Sequence, residues 1–133
     1  MSLIELKHLA KRFGSLTVLK GLDLKIEKGQ SLVVIGASGT GKSVLLKHIV
    51  GLLRPDSGEV WFDGKRIDTM AERDLVDVRT RFGFLFQMGA LFDSLNVADN
   101  VGFPMVEHTR KTSEEIATLV KQKLRLVGFP KRV

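Results

Sequence analysis

The sequence predicts an α/β fold in which antiparallel strands flank a buried parallel strand, and three features of its hydrophobic pattern predict it. Leu22, Leu24 and Ile26 alternate with Asp23, Lys25 and Glu27, the period of a strand with one apolar face. Residues 31–35 do not alternate: Leu32, Val33, Val34 and Ile35 run together, as in a central strand of a parallel sheet covered on both faces. Residues 42–53 then carry Val44, Leu45, Leu46, Ile49, Val50, Leu52 and Leu53, a broad helical apolar face that stops at Arg54 and Pro55. A buried strand, a glycine-rich loop and a helix therefore follow one another.

The remaining elements are read in chain order. Ile4, Leu6 and His8 alternate weakly with Glu5 and Lys7, and Phe13, Gly14 and Ser15 separate them from the second strand, so an antiparallel pair is expected. Gly29 marks a break. Asp56, Ser57 and Gly58 turn the chain into a strand at 59–62, and Asp63-Gly64 is a short hairpin signal before Lys65, Arg66 and Ile67. Residues 69–81 read as a short polar helix, and 82–86 as an apolar strand ending at the polar Gln87. Near the end, Thr112, Ser113, Glu114 and Glu115 fit a capping box. Ile116, Leu119, Val120, Leu124 and Val127 follow at helical spacing, giving an amphipathic helix that ends near Gly128.

Composition narrows the function classes. A chain of 133 residues with 44% hydrophobic and 27% charged residues is expected to form about one globular domain. The net charge of +6 comes from basic residues scattered among acids, without a block of one sign, so no specific nucleic-acid partner is expected. The absence of Cys removes a disulfide framework and a thiolate zinc site, and favours an intracellular protein. The longest aliphatic run, 32–35, is far too short to span a bilayer, and the amino end lacks the basic and apolar regions of a secretory signal. His8, His48 and His108 stand alone, without a second ligand at metal-site spacing.

The chemistry is concentrated in Gly36, Ala37, Ser38, Gly39, Thr40, Gly41, Lys42 and Ser43, which match GxxxxGK[ST]. The motif lies between the apolar strand and the apolar helix, where a phosphate-binding loop must sit. Its glycines let successive backbone N–H groups curl toward phosphate oxygens, aided by the positive end of the helix beginning near Lys42. The Lys42 ammonium should reach the β- and γ-phosphates, and the Ser43 hydroxyl should serve Mg²⁺, which takes oxygen ligands and usually keeps several waters. A nucleoside triphosphate is the expected ligand.

Around this motif the chain resembles a known family. Phe13-Gly14, Val18-Leu19-Lys20-Gly21-Leu22-Asp23-Leu24, Gly29 before the loop strand, Pro55-Asp56-Ser57-Gly58-Glu59-Val60 after the helix, and the approach to Gln87 are similar to the ATP-binding subunit of an ABC transporter. The resemblance implies a P-loop NTPase fold over 1–133, with an antiparallel β subdomain and the start of a helical subdomain, truncated. It implies ATP and Mg²⁺ as cofactors. Phe13 would stack on adenine with Val18 beside it, Gly36 to Ser43 and Val44 would hold the phosphates, and Gln87 would join Ser43 at Mg²⁺. The stretch from Phe86 through Leu91-Phe92-Asp93 to Asp99-Asn100-Val101 and Phe103-Pro104 resembles the lipid-asymmetry branch, whose members energise phospholipid transport across the bacterial envelope.

Further expectations follow from the resemblance. The apolar region after Gln87 (Met88, Ala90, Leu91, Phe92, Leu95, Val97, Val101, Phe103, Met105) would either dock an ABC permease or pack into the chain's own helical subdomain. A second ATP-binding subunit would form a homodimer at full length, on the cytoplasmic face of the inner membrane. An LSGGQ-like signature, the Walker B aspartate with its catalytic glutamate, and a switch histidine are not in the sequence, so no catalytic residue is assigned and negligible ATPase activity is expected of this chain alone. Without the later strands, 31–35 would lose a neighbour and expose an apolar edge. Two other readings are a non-hydrolysing nucleotide-binding module and a soluble ABC ATPase acting on nucleic acid or ribosomes.

Overall fold

The computed structural model describes residues 2–37, 41–86 and 89–129. These form two compact units, 1–82 and 83–133. Within the first, the alternating stretches form β1 (Ser2–Phe13) and β2 (Leu16–Glu27), an antiparallel pair with Leu6 opposite Leu24 and Phe13 opposite Leu16. Gly14, at φ 61, makes the turn between them. β3 (Ser57–Phe62) pairs with the other edge of β1, placing Leu6 opposite Val60. β4 (Lys65–Arg66) closes the hairpin foreseen at Asp63 and Gly64, both of which have positive φ. The sheet order is β2-β1-β3-β4, and every pairing is antiparallel.

One irregularity shapes this sheet. His8 sits at φ 50, the register slips beside it on both flanks of β1, and its backbone N–H donates to Asp23 Oδ1 at 2.9 Å. Opposite the bulge stands Gly58, at φ 90, where a Cβ would lie 2.4 Å from the His8 carbonyl oxygen and 2.6 Å from that of Lys7. Only glycine fits there.

The helix foreseen at 42–53 is α1 (Lys42–Ile49), shorter because Gly51 at φ 74 stops it. Gly51 N–H donates to the His48 carbonyl and Leu52 N–H to that of Lys47, a Schellman ending. Arg79, at the end of α2 (Glu72–Arg79), closes the same terminus by donating to the carbonyls of Val50 (3.1 Å) and Gly51 (2.6 Å). Leu45 and Ile49 of α1 pack with Leu6, Leu9, Leu19, Val60 and Phe62 of the sheet, and with Ile67 and Leu75. Leu46 and Leu52, expected on the apolar face, are instead exposed.

Two expected strands are corrected. Residues 31–35 form no strand and are not buried: Val33 is 78% and Ile35 89% exposed. Residues 82–86 likewise form no strand, and Leu85 is exposed. An apolar run becomes a central strand only when neighbours satisfy its N–H and C=O groups and cover both faces, and no described residues pair with either segment. The apolar side chains of 32–35 are exposed, but with no strand formed there is no strand edge of the kind expected.

In the second unit, α3 (Val97–His108) and α4 (Ser113–Leu126) pack together. α3 lies within the apolar region after Gln87, where the sequence pattern assigns no helix. Its start was legible as Asn96 three residues before Asp99, whose N–H the Asn96 side chain accepts at 2.8 Å, but Gly102 and Pro104 obscured the rest. Gly102 is buried against Ile116 and Val120 of α4, where a Cβ would come within 3.1 Å of the Ile116 Cγ2. Of the capping box expected at α4 the N-cap half is formed: Thr112 Oγ1 accepts from Glu115 N–H, and it also donates to Glu115 Oε1, both at 3.2 Å. Val120 and Leu124 are buried as expected. Val127 lies past the helix end and is 77% exposed.

His48 is the one polar residue buried as a whole among the described residues, at 1% exposure. Its Nδ1 meets the Val44 carbonyl at 2.7 Å and so carries the hydrogen, leaving Nε2 buried without a partner. Burial is the main force pushing its pKa below the usual imidazole range, against the smaller opposing effect of the Val44 hydrogen bond. The unfolded imidazole thus takes a proton near pH 6.5 while the folded one does not, and stability declines as pH falls below that value. Denaturant midpoints measured across this range should drop with acidification, and His48→Leu should flatten that part of the profile. A slope unchanged in the variant would assign the acid sensitivity to other groups.

Candidate phosphate-binding site

The glycine-rich loop connects the extended segment ending at Ala37 with α1, and of its motif Ser38, Gly39 and Thr40 lie outside the described residues. Gly36 and Ala37 are exposed. Gly41 is the N-cap of α1 in the left-handed conformation, φ 98 and ψ 9. A Cβ on it would stand 2.7 Å from Val18 Cγ1, so conformation and proximity to β2 both require glycine there. Among the described residues no side chain caps this terminus, and the first turn carries no acid, while Lys47 and His48 lie in the last turn. The positive end of α1 is therefore left facing the loop.

Lys42 sits in the first turn of α1, and its Nζ donates back to the Gly36 carbonyl, bridging the two ends of the loop. Ser43 follows in the same turn and is exposed. Val44 points differently: it is half-buried against the apolar core, and its carbonyl holds His48. Any contact it makes with a ligand must come from its backbone.

Beside the loop is a cavity of about 650 Å³ lined by Val18, Lys20 and Asp23 of β2 together with Gly36, Gly41 and Lys42. Val18 and the described motif residues Gly36, Gly41 and Lys42 thus share one cavity. Phe13 is at the carboxyl end of β1, 45% exposed, with Lys11 Nζ 5.5 Å from its ring centroid, and is not among the residues lining the cavity. Its exposure excludes a simple core role. The end of β1 is anchored nearby: Arg12 N–H donates to Asp56 Oδ2 at 2.7 Å and Lys11 Nζ lies 3.5 Å from Asp56 Oδ1. The Arg12 N–H holds the Asp56 carboxyl below the usual carboxylate range. Gln87 lies outside the described residues.

Lys20 was missed as a lining residue. Its signal was its place two residues beyond Val18 on one strand, which turns both side chains to the same face. Among the described residues no three His, Cys, Asp or Glu side chains are placed to hold a metal ion. The donor set fits a cation that arrives with phosphate oxygens and water and takes one hydroxyl from the protein, as Mg²⁺ does. No described helix is long and apolar enough to cross a membrane.

Comparison with known proteins agrees with this geometry. The family profile described as ABC transporter matches residues 19–133. The chain is 49% identical over 126 residues to the "Probable ribonucleotide transport ATP-binding protein mkl" of Mycobacterium leprae, covering 95% of this chain and 36% of that protein. It is 43% identical over 128 residues to the "Intermembrane phospholipid transport system ATP-binding protein MlaF" of Haemophilus influenzae, covering 96% of this chain and 48% of that one. The chain therefore spans less than half the length of these curated relatives. Among solved structures, the dimeric MJ0796, a bacterial ABC transporter cassette, superimposes with a TM-score of 0.91 at 29% identity, over 97% of this chain and 59% of that one. With a P-loop opening α1, a β2 that walls the adjoining cavity, and a family match over residues 19–133, the chain belongs to the ABC transporter family and has the P-loop NTPase fold of its nucleotide-binding domains.

Proposed function

We propose that this chain is the phosphate-cradling part of an ATP-binding subunit that powers phospholipid transport through a membrane permease. The observation that carries the nucleotide half of this reading is the convergence of Gly36, Gly41 and Lys42 at the uncapped end of α1, on the wall of a cavity that Val18 shares. Likeness to the Haemophilus MlaF protein supports the phospholipid half.

The roles follow from the site. Backbone N–H groups at the start of α1 bind phosphate oxygens at the positive end of the helix. Lys42 exchanges its bond to the Gly36 carbonyl for a charge-assisted bond to phosphate, at no cost in unpaired groups when the ligand leaves. Ser43, with Gln87, would hold Mg²⁺, which when bound offsets the negative charge of the phosphates. Val18 presents an apolar wall and Phe13 an exposed ring for the base. The exposed Leu91, Phe92 and Val97 of the helical unit suit a permease surface, whereas Leu95, Val101, Phe103 and Met105 are partly buried within that unit. Pairing with a second subunit is in keeping with the dimeric MJ0796 cassette.

Three experiments test this reading. Lys42→Ala should weaken Mg·ATP binding by about tenfold or more in calorimetry, because a charged phosphate contact is lost; unchanged affinity would refute the phosphate cradle. Phe13→Ala should reduce affinity for ATP while leaving that for inorganic triphosphate near wild type, since the ring can meet only the base. Equal losses for the two ligands would make Phe13 structural. For cargo, ATP turnover of the subunit assembled with its permease in vesicles should respond to phospholipid; a response to added ribonucleotide instead would favour the activity named for the Mycobacterium leprae relative.

A further inference from the structure

Three charged side chains of the described residues line the cavity beside the P-loop: Lys42, Asp23 and Lys20. Two of them are already engaged. Lys42 donates to the Gly36 carbonyl, and Asp23 accepts the His8 N–H at 2.9 Å and stands 3.3 Å from His8 Nδ1. Lys20 makes no hydrogen bond or ion pair with the described residues. It lines the cavity beside its neighbours Val18 and Leu19 on β2, and its side chain is exposed while theirs pack against the core. Val18 in turn abuts Gly41, the first residue of the α1 cap. Two residues along a strand is about 7 Å, a span that a lysine side chain readily bridges.

We propose that Lys20 is a second cation of this cavity, contacting the phosphate chain of the bound nucleotide from the β2 side while Lys42 does so from α1. This rests on the reading of the cavity as a nucleotide site. A polyphosphate concentrates more negative charge than one ammonium offsets, and a free cation on the opposite wall lies where the field of that charge is strong. The consequence is selectivity by ligand charge. Lys20 strengthens binding of a triphosphate more than of a diphosphate, and of a monophosphate least, whereas Val18 and Phe13 act on all three alike.

The test is to measure binding of ATP, ADP and AMP, each with Mg²⁺, to the wild-type chain and to Lys20→Gln and Lys20→Arg, at low and high salt. Lys20→Gln should weaken ATP by about fivefold and AMP by less than about twofold, with the difference shrinking at high salt. Lys20→Arg should keep the wild-type order, because it preserves the charge. Denaturation midpoints should match in all three proteins, since the Lys20 side chain is exposed. An equal loss across the three nucleotides, no loss at all, or an Arg variant as weak as the Gln variant would overturn the assignment. Failure of wild type to bind any nucleotide, or indifference to Lys42→Ala, would instead overturn the nucleotide reading on which it rests.

Discussion

The close seating of α1 on the antiparallel sheet is the constraint from which the rest of the first unit follows. Leu45 and Ile49 bury themselves among Leu6, Leu9, Leu19, Val60 and Phe62, and truncating such a side chain to alanine typically costs about 2–5 kcal/mol. At its amino end the helix comes so near β2 that Gly41 has no room for a Cβ beside Val18. At its carboxyl end Arg79 and the turn at Gly51 satisfy the last carbonyls. A helix held at both ends presents its uncapped amino terminus in a fixed direction. That direction is what the proposed binding of phosphate at the glycine-rich loop would use.

The same seating joins binding to stability. Lys42 and Ser43 lie in the first turn of α1, and His48 is buried two turns later with one ring nitrogen unpaired. Any condition that loosens the carboxyl half of the helix also disturbs the geometry of its amino half. On the sheet side, the bulge at His8 and the glycine opposite it bend β1, and Asp23 ties that bulge to β2 a few residues beyond Val18. The cavity is thus bounded by one rigid helix end and one pinned strand.

The helical unit is organised differently, around a polar hub. Asn100 accepts from Phe92 N–H at 2.9 Å and donates to the carbonyls of Phe92, Leu95 and Asn96 at 3.0–3.2 Å, so one side chain satisfies the backbone of the loop leading into α3. Phe92 and Phe103 meet with ring centroids 4.6 Å apart. Gly102 lets α4 approach closely enough for Ile116 and Val120 to reach the α3 backbone. The partly buried apolar residues of α3 serve this packing, and those left exposed are the ones free to meet a partner.

Local chemistry made much of this legible in advance. The β1–β2 pair, the Asp63-Gly64 hairpin and the helix start at Thr112 were legible in the sequence, because alternation, turn dihedrals and caps depend on residues near one another in the chain. The roles of Phe13, Val18 and Gln87 came from resemblance, and of these the structure places Val18 at the cavity. What failed were statements about burial and pairing. The run 31–35 has the composition of a central strand, yet burial belongs to the neighbours that cover a segment, and none of the described residues does so. The α3 helix was hidden by Pro104 and by Gly102, whose place against Ile116 and Val120 belongs to the packing of α4. Lys20 lies within the stretch 18–24 and two residues beyond Val18, but its place on the cavity wall depends on where β2 packs relative to α1, which the tertiary structure decides.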